Sequence, residues 1–164
     1  MYIKEQGDVD VLTYGDLPDP IVKSNEIKIK VKACSINRLD LFARAGEKGV
    51  RLNLKTPHVL GGDVAGDVIE SGDMVTDFLV GDRVVINPHI SCRKCKNCKL
   101  GEEELCLQSK FLGMTSNGGY AEYITIPFYN VVRIPDNLSY IEAAAIPTVF
   151  IPCWNMLFRK AKLQ

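Results

Sequence analysis

Apolar and polar residues alternate without a break from residue 27 to residue 33, with Ile27, Ile29, Val31 and Ala33 separated by Lys28, Lys30 and Lys32. A period of two sends each set to one face, so the segment predicts a strand buried on one side. Residues 64–69 and 82–86 are β-branched runs bounded by Gly61-Gly62, Gly72, Gly81 and Pro88. Residues 120–126 and 130–134 follow, separated by Pro127 and closed by Pro135-Asp136-Asn137. Short strands at regular intervals with glycine turns predict a barrel or a sandwich. A parallel α/β layering would need helices between the strands, and the pattern supplies none.

The last forty residues change character. Ser139 followed by Glu142 is a capping-box pattern that opens a short helix through Ala143-Ala144-Ala145. Beyond Pro152, the residues Trp154, Leu157, Phe158 and Ala161 fall at i, i+3, i+4 and i+7, which predicts an amphipathic helix. That helix reaches Gln164 without a capping glycine.

Composition narrows the class. The chain has 164 residues, 46% hydrophobic and 24% charged, with 20 basic against 20 acidic side chains. That length suits one domain, or one and part of another. A zero net charge gives no long-range pull toward nucleic acid or an anionic membrane. The longest apolar stretch, residues 143–154, is interrupted by Pro147 and Pro152 and falls short of the roughly 20 residues a span needs. No apolar block follows Met1-Tyr2-Ile3-Lys4, so a signal peptide is not expected and a cytoplasmic protein is.

Four of six cysteines, Cys92, Cys95, Cys98 and Cys106, form C-x2-C-x2-C-x7-C. Two residues between cysteines make a turn that aims both sulfurs at one point, and four thiolates suit tetrahedral zinc. Four protein ligands leave no open position, so the expected metal is structural. Arg93, Lys94, Lys96 and Lys99 would offset the surplus negative charge. The alternatives are a set of reduced surface thiols, or a nucleic-acid-binding ribbon. Against the ribbon stand Glu102-Glu103-Glu104 and the lack of aromatic residues in the loop. Cys34 and Cys153 lie in apolar surroundings and are expected in the core. No nucleotide-binding glycine loop is present: Gly61, Gly62 and Gly66 fit neither the dinucleotide nor the P-loop spacing.

The cysteine loop, set between Val80-Gly81-Asp82-Arg83-Val84 and Gly118-Gly119-Tyr120-Ala121-Glu122-Tyr123, resembles the medium-chain dehydrogenase/reductase family of zinc alcohol dehydrogenases and quinone oxidoreductases. Ser35-Ile36-Asn37-Arg38-Leu39-Asp40, Gly61-Gly62-Asp63-Val64-Ala65-Gly66, and Leu138-Ser139 through Glu142-Ala143-Ala144 match in the family's order and spacing. The resemblance implies a mainly β, GroES-like, partly open barrel with short helices over residues 1–148, and a structural zinc lobe at about 88–112. Residues 149–164 would then be a junction helix leading to a Rossmann cofactor domain that this chain does not contain, and the chain a fragment of a longer enzyme.

The same resemblance locates the family's catalytic zinc, and each ligand position can be read. The Cys-His-Thr-Asp stretch falls on Asn37-Arg38-Leu39-Asp40, so Asn37 replaces a cysteine ligand and Leu39 the proton-relaying hydroxyl. Gly-His-Glu falls on Gly61-Gly62-Asp63, so Gly62 replaces the histidine, and Thr148 replaces the remaining cysteine. Amide and hydroxyl are poor zinc ligands beside thiolate and imidazole, and glycine offers none. The only histidines, His58 and His89, lie elsewhere and are expected in loops or on the surface.

Oxidising a plain alcohol asks for alkoxide stabilisation, which a Lewis-acid metal provides. Hydride addition to a quinone or an α,β-unsaturated carbonyl gives a delocalised anion that hydrogen bonds and a proton can stabilise. The resemblance therefore points to a zinc-braced but catalytically zinc-free reductase of a small carbonyl or quinone, using NADPH or NADH. Asn37 is a candidate donor to substrate or nicotinamide, Arg38 to cofactor pyrophosphate, and Thr148 to the nicotinamide amide. Asp40 and Asp63 are candidate acceptors that orient neighbouring groups. Two alternatives stand: a zinc-dependent alcohol dehydrogenase using other ligands, and a GroES-like binding module without cofactor. A nucleic-acid or membrane partner is not expected, and a homo-oligomer is compatible with the full-length protein.

Overall fold

The structure, a computed structural model, describes residues 1–48, 50 and 56–163. Among the described residues seven strands run in chain order: β1 Glu26–Cys34, β2 Val64–Ser71, β3 Arg83–Ile86, β4 His89–Ile90, β5 Lys110–Phe111, β6 Tyr123–Pro127 and β7 Val131–Arg133. Four α-helices accompany them in the described residues: α1 Arg38–Ala45, α2 Lys96–Lys99, α3 Tyr140–Ala144 and α4 Pro147–Trp154. Five strands form one antiparallel sheet in the order β6-β1-β2-β3-β7, and β4 pairs with β5 apart from it. A short 3-10 turn, Phe128–Asn130, carries the chain from one edge strand to the other. The sheet stays open between them, a partly open GroES-like architecture.

The alternation in β1 does what a period of two requires. Ile27 and Ile29 are fully buried, while Lys28 lies over the Tyr123 ring and pairs with Asp19. They join Val64, Val68, Val84, Ile86, Leu112, Ile124, Ile126 and Val131 in the main core. At roughly 1.5–3 kcal/mol per buried branched side chain, this cluster is the dominant stabilising term. On the other face, Ala143 and Ala144 of α3 pack with Ala65 and Ile134. Small side chains let that helix sit close to the strands. Its predicted capping box is present: the Ser139 N–H and hydroxyl donate to the Glu142 carboxylate, whose own N–H returns to Ser139 Oγ.

Four expectations need correction. The strand expected from residue 120 begins at Tyr123, because the amides of Gly118, Gly119 and Tyr120 bond instead to the carbonyls of Val59, Gly61 and Leu60. His58 is not a surface residue: it is buried, with Nε2 3.1 Å from the Gly113 carbonyl, and its backbone bridges to Ile3. Cys153 is exposed rather than in the core, and Cys34 is only part-buried. The terminal helix starts at Pro147, before Pro152, and continues from Trp154 as a π-helical turn over Asn155–Lys160. Trp154, Leu157 and Phe158, its apolar stripe, are exposed in this chain.

The strand-biased sequence reading also missed α1. Its signals are local. The Asp40 carboxylate accepts the backbone N–H of Asn37 at 2.8 Å across the first turn, and Gly46 ends the helix at φ 75° with its N–H on the Phe42 carbonyl.

Candidate functional site

The cysteine loop closes on itself. Arg93 adopts a positive φ of 54° between Cys92 and Cys95 and stacks on the Tyr129 ring. Cys98 lies in α2, and Cys106 follows the 3-10 turn Glu103–Leu105. Asn97 Nδ2 donates to the Leu105 carbonyl across the loop at 2.7 Å. Together these bring the four sulfurs within 4.8 Å of one another, with Cys92 and Cys98 3.8 Å apart and Cys95 and Cys98 3.4 Å apart. Zinc–sulfur bonds of ~2.3 Å give tetrahedral S–S edges of about 3.8 Å, so the set fits a zinc ion. Among the described residues it is the one group of three or more His, Cys, Asp or Glu side chains that fits a metal.

Backbone amides prepare the thiolates. The N–H groups of Lys94 and Cys95 bring the Cys92 thiol down to about 6. Desolvation pushes Cys98 up to about 12, and its sulfur neighbours add to this. A divalent cation is what lets all four thiols ionise together. With four protein ligands such an ion has no open position and braces the lobe.

The second centre is a carboxylate. Asp63 precedes β2 and is fully buried. Asn37 Nδ2 donates to its Oδ2 at 2.8 Å, and Ser35 Oγ to the same oxygen at 3.2 Å. Thr148, in the first turn of α4, donates its hydroxyl to Oδ1 at 2.6 Å and its N–H at 3.1 Å. Four donors, from the loop between β1 and α1 and from the first turn of α4, thus converge on one carboxylate, which offsets the cost of burying it. Three of the candidate residues, Asn37, Asp63 and Thr148, belong to one network. Asp40 stands beside it, its carboxyl raised by burial, while the Asn37 N–H pulls it back down and the charge of Asp63 adds to the rise. Arg38 is exposed at the start of α1.

This network does not fit a zinc ion. The Asn37 amide nitrogen has partners in Asp63 Oδ2 and Ser35 Oγ, and the Thr148 hydroxyl proton is spent on Asp63. Gly62 is buried with no side chain, and a Cβ there would already stand 3.2 Å from Phe111 and 3.3 Å from the Leu112 carbonyl. Sequence reasoning overlooked Ser35, Cys34 and Tyr120. The Tyr120 ring and Cys34 sulfur both press on Gly61, whose φ of 98° and lack of a side chain admit them. Burial, with Asp40 and Asp63 nearby, pushes the Cys34 thiol up to about 12, so it stays neutral. Desolvation and Asp40 raise the Tyr120 phenol likewise. The missed signal was positional: Ser35 sits two residues before Asn37, and Tyr120 directly follows two glycines.

An apolar pocket of about 370 Å3 adjoins this centre, lined by Cys34, Ile36, Asp40, Leu41, Leu60 and Tyr120 among others. A wider groove of about 750 Å3 runs under residues 14–20 along the β6 edge.

Residues 23–136 match the alcohol dehydrogenase GroES-like domain. An L-threonine 3-dehydrogenase of Pseudoalteromonas translucida is 36% identical over 124 residues, covering 76% of this chain and 36% of that protein. A crystal structure of an NAD-dependent alcohol dehydrogenase superposes with a TM-score of 0.94 at 40% identity, over 99% of this chain and 47% of the other. A cobalt- and zinc-bound thermostable alcohol dehydrogenase from Pyrobaculum aerophilum gives a TM-score of 0.87 at 31% identity, over 96% and 47%. The chain spans about a third of the length of the curated relatives it matches.

Proposed function

We infer the function from a plain premise: the chain belongs to the medium-chain dehydrogenase/reductase family, as its N-terminal alcohol dehydrogenase GroES-like domain. We propose that it forms the substrate-side half of an NAD(P)-dependent oxidoreductase that keeps a structural zinc and works without a catalytic one. The observation that carries this reading is the Asp63 network. Where the family resemblance places a metal, Asn37 and Thr148 give their hydrogens to a buried carboxylate. A site of that kind suits acceptors whose reduced form is already delocalised, a quinone or an enone. The apolar pocket beside Asp40 and Tyr120 supports a small, largely apolar carbonyl substrate.

In this reading Asp63, Asn37 and Thr148 act as a unit that shapes the site wall, with Asp40 fixing the start of α1 beside it. Thr148 carries the nicotinamide side of that wall, and exposed Arg38 faces the cofactor phosphates. The cofactor, NADPH or NADH, supplies the hydride. Residues 1–148 form the substrate domain, and residues 149–164 the junction to a cofactor domain. A cytoplasmic location suits six cysteines without a disulfide, and among the described residues no helix is long and apolar enough to cross a membrane.

The names of the relatives favour a second reading, a zinc-dependent dehydrogenase of an alcohol or of threonine. Two measurements on the polypeptide that joins this domain to its cofactor half separate them. One zinc per chain with NAD(P)H consumption on quinones or enones supports the proposal. Two zincs per chain with alcohol-dependent NAD+ reduction abolished by chelation sinks it.

A further inference from the structure

The segment after Ala145 is held at both ends. At its start, Thr148 donates its N–H and hydroxyl to buried Asp63. At its end, Arg159 donates to the Gly101 carbonyl at 2.7 Å and reaches Glu104 at 3.9 Å, and Lys160 pairs with Glu104 at 3.0 Å. Gly101 and Glu104 lie inside the cysteine loop, between the ligands Cys98 and Cys106. Between its ends the helix has little to hold it: Val149, Phe150, Trp154 and Met156 are each more than half exposed.

We propose that α4 and its π-helical turn form a strut, so that metal in the cysteine loop sets the position of the helix that meets Asp63. The physical chain is short. Glu104 lies two residues from Cys106, and Gly101 is three from Cys98, so the four-sulfur centre fixes the backbone that presents both partners to Arg159 and Lys160. Without the ion those partners move with a loop that has lost its cross-link, and two surface ion pairs are too weak to order it alone. The segment is helical without a break from Pro147 to Lys160, so freeing its far end loosens the Thr148 end as well. Asp63 would then feel the loss of zinc through this helix. This inference rests on zinc occupying the cysteine loop, and not on the reaction assigned to the enzyme.

Trp154, the chain's single tryptophan, lies mid-strut and stacks on Phe158 with ring centroids 4.3 Å apart. The test compares the zinc-loaded chain with the same chain stripped by a chelator under reducing conditions. Metal content, Trp154 fluorescence anisotropy and amide exchange over residues 147–160 are read in each sample. The R159A and K160A substitutions, made together, cut the strut from the lobe without altering the lobe. Removing zinc from the unaltered chain is expected to lower Trp154 anisotropy and speed exchange, including at Thr148, by about threefold or more. In the doubly substituted chain both are already shifted with one zinc still bound, and stripping the metal adds nothing. The proposal is overturned if stripping leaves residues 147–160 unchanged, if it shifts both chains equally, or if the loaded chain carries no zinc.

Discussion

Two buried carboxylates, 23 positions apart, have opposite accounts. Every contact of Asp63 is with a donor, so an Asp63→Asn exchange turns an N–H toward at least one of them in a site with no exposure. It is expected to cost about 2–4 kcal/mol in urea unfolding at neutral pH. Asp40 is different, because its folded carboxyl titrates above the ordinary 3.8, chiefly through burial. A raised acid is easier to bury protonated, so ionisation works against the fold. Its contribution is fully present below pH 3.8 and is lost as pH rises through the higher folded value. Asp40→Asn keeps an oxygen for the Asn37 N–H and removes that titration. Its cost at pH 7 is expected to stay below about 1 kcal/mol, with a flatter stability profile between pH 4 and 7. A loss at pH 7 equal to that of Asp63→Asn would contradict this. Both aspartates could be singled out in the sequence, but their different burdens could not, because the donors to Asp63 come from residues 26 to 85 positions away.

At the scale of elements, strands announced themselves and short helices did not. The period of β1 gave its buried face, whereas its pairing with β2 carries two register shifts that no alternation encodes. A four-residue helix such as α2, or α1 with its single acid at the third turn position, leaves no periodic trace long enough to read. The terminal helix was half legible: its apolar spacing was real, but its start at Pro147 depends on Thr148 meeting Asp63. Close strand contact also makes glycines unequal. A Cβ on Gly66 would lie 2.1 Å from the Lys30 carbonyl across the β1–β2 pair, whereas one on Gly81 meets nothing within 4 Å. Gly66→Ala is expected to destabilise by more than about 3 kcal/mol or to prevent folding. Gly81→Ala, where φ is 95°, is expected to cost about 1–2 kcal/mol for the left-handed backbone alone. Thermal unfolding of the two variants ranks them, and a reversed order would refute the strand-contact account.

For the whole molecule, the cysteine loop and the Asp63 network divide the labour of metal and hydrogen bonds. Metal analysis of the chain is expected to give one zinc, and Cys98→Ser or Cys106→Ser to remove it, since three thiolates hold the ion less well than four. Retention of a full equivalent by both variants would move the metal elsewhere. The chain covers under half the length of the relatives named above, and the proposed reading assigns the cofactor half to residues outside it. Residues 1–164 alone are expected to show no hydride transfer from NADPH or NADH to quinones or enones, and measurable turnover by them would refute the two-half reading.

Sequence by itself determined the strand faces, the family and the four-cysteine cluster, because periodicity and residue spacing are local properties that survive without a fold. Through the family resemblance it also put Asn37, Gly62 and Thr148 at the positions of the family's catalytic-zinc ligands, since residue identity needs no geometry to be read. Only the tertiary structure decided what those residues touch. Asn37, Ser35 and Thr148 meet Asp63 through the packing of α1 and α4 against the start of β2. No spacing along the chain encodes that meeting, because its free energy comes from a buried charge that distant donors must satisfy.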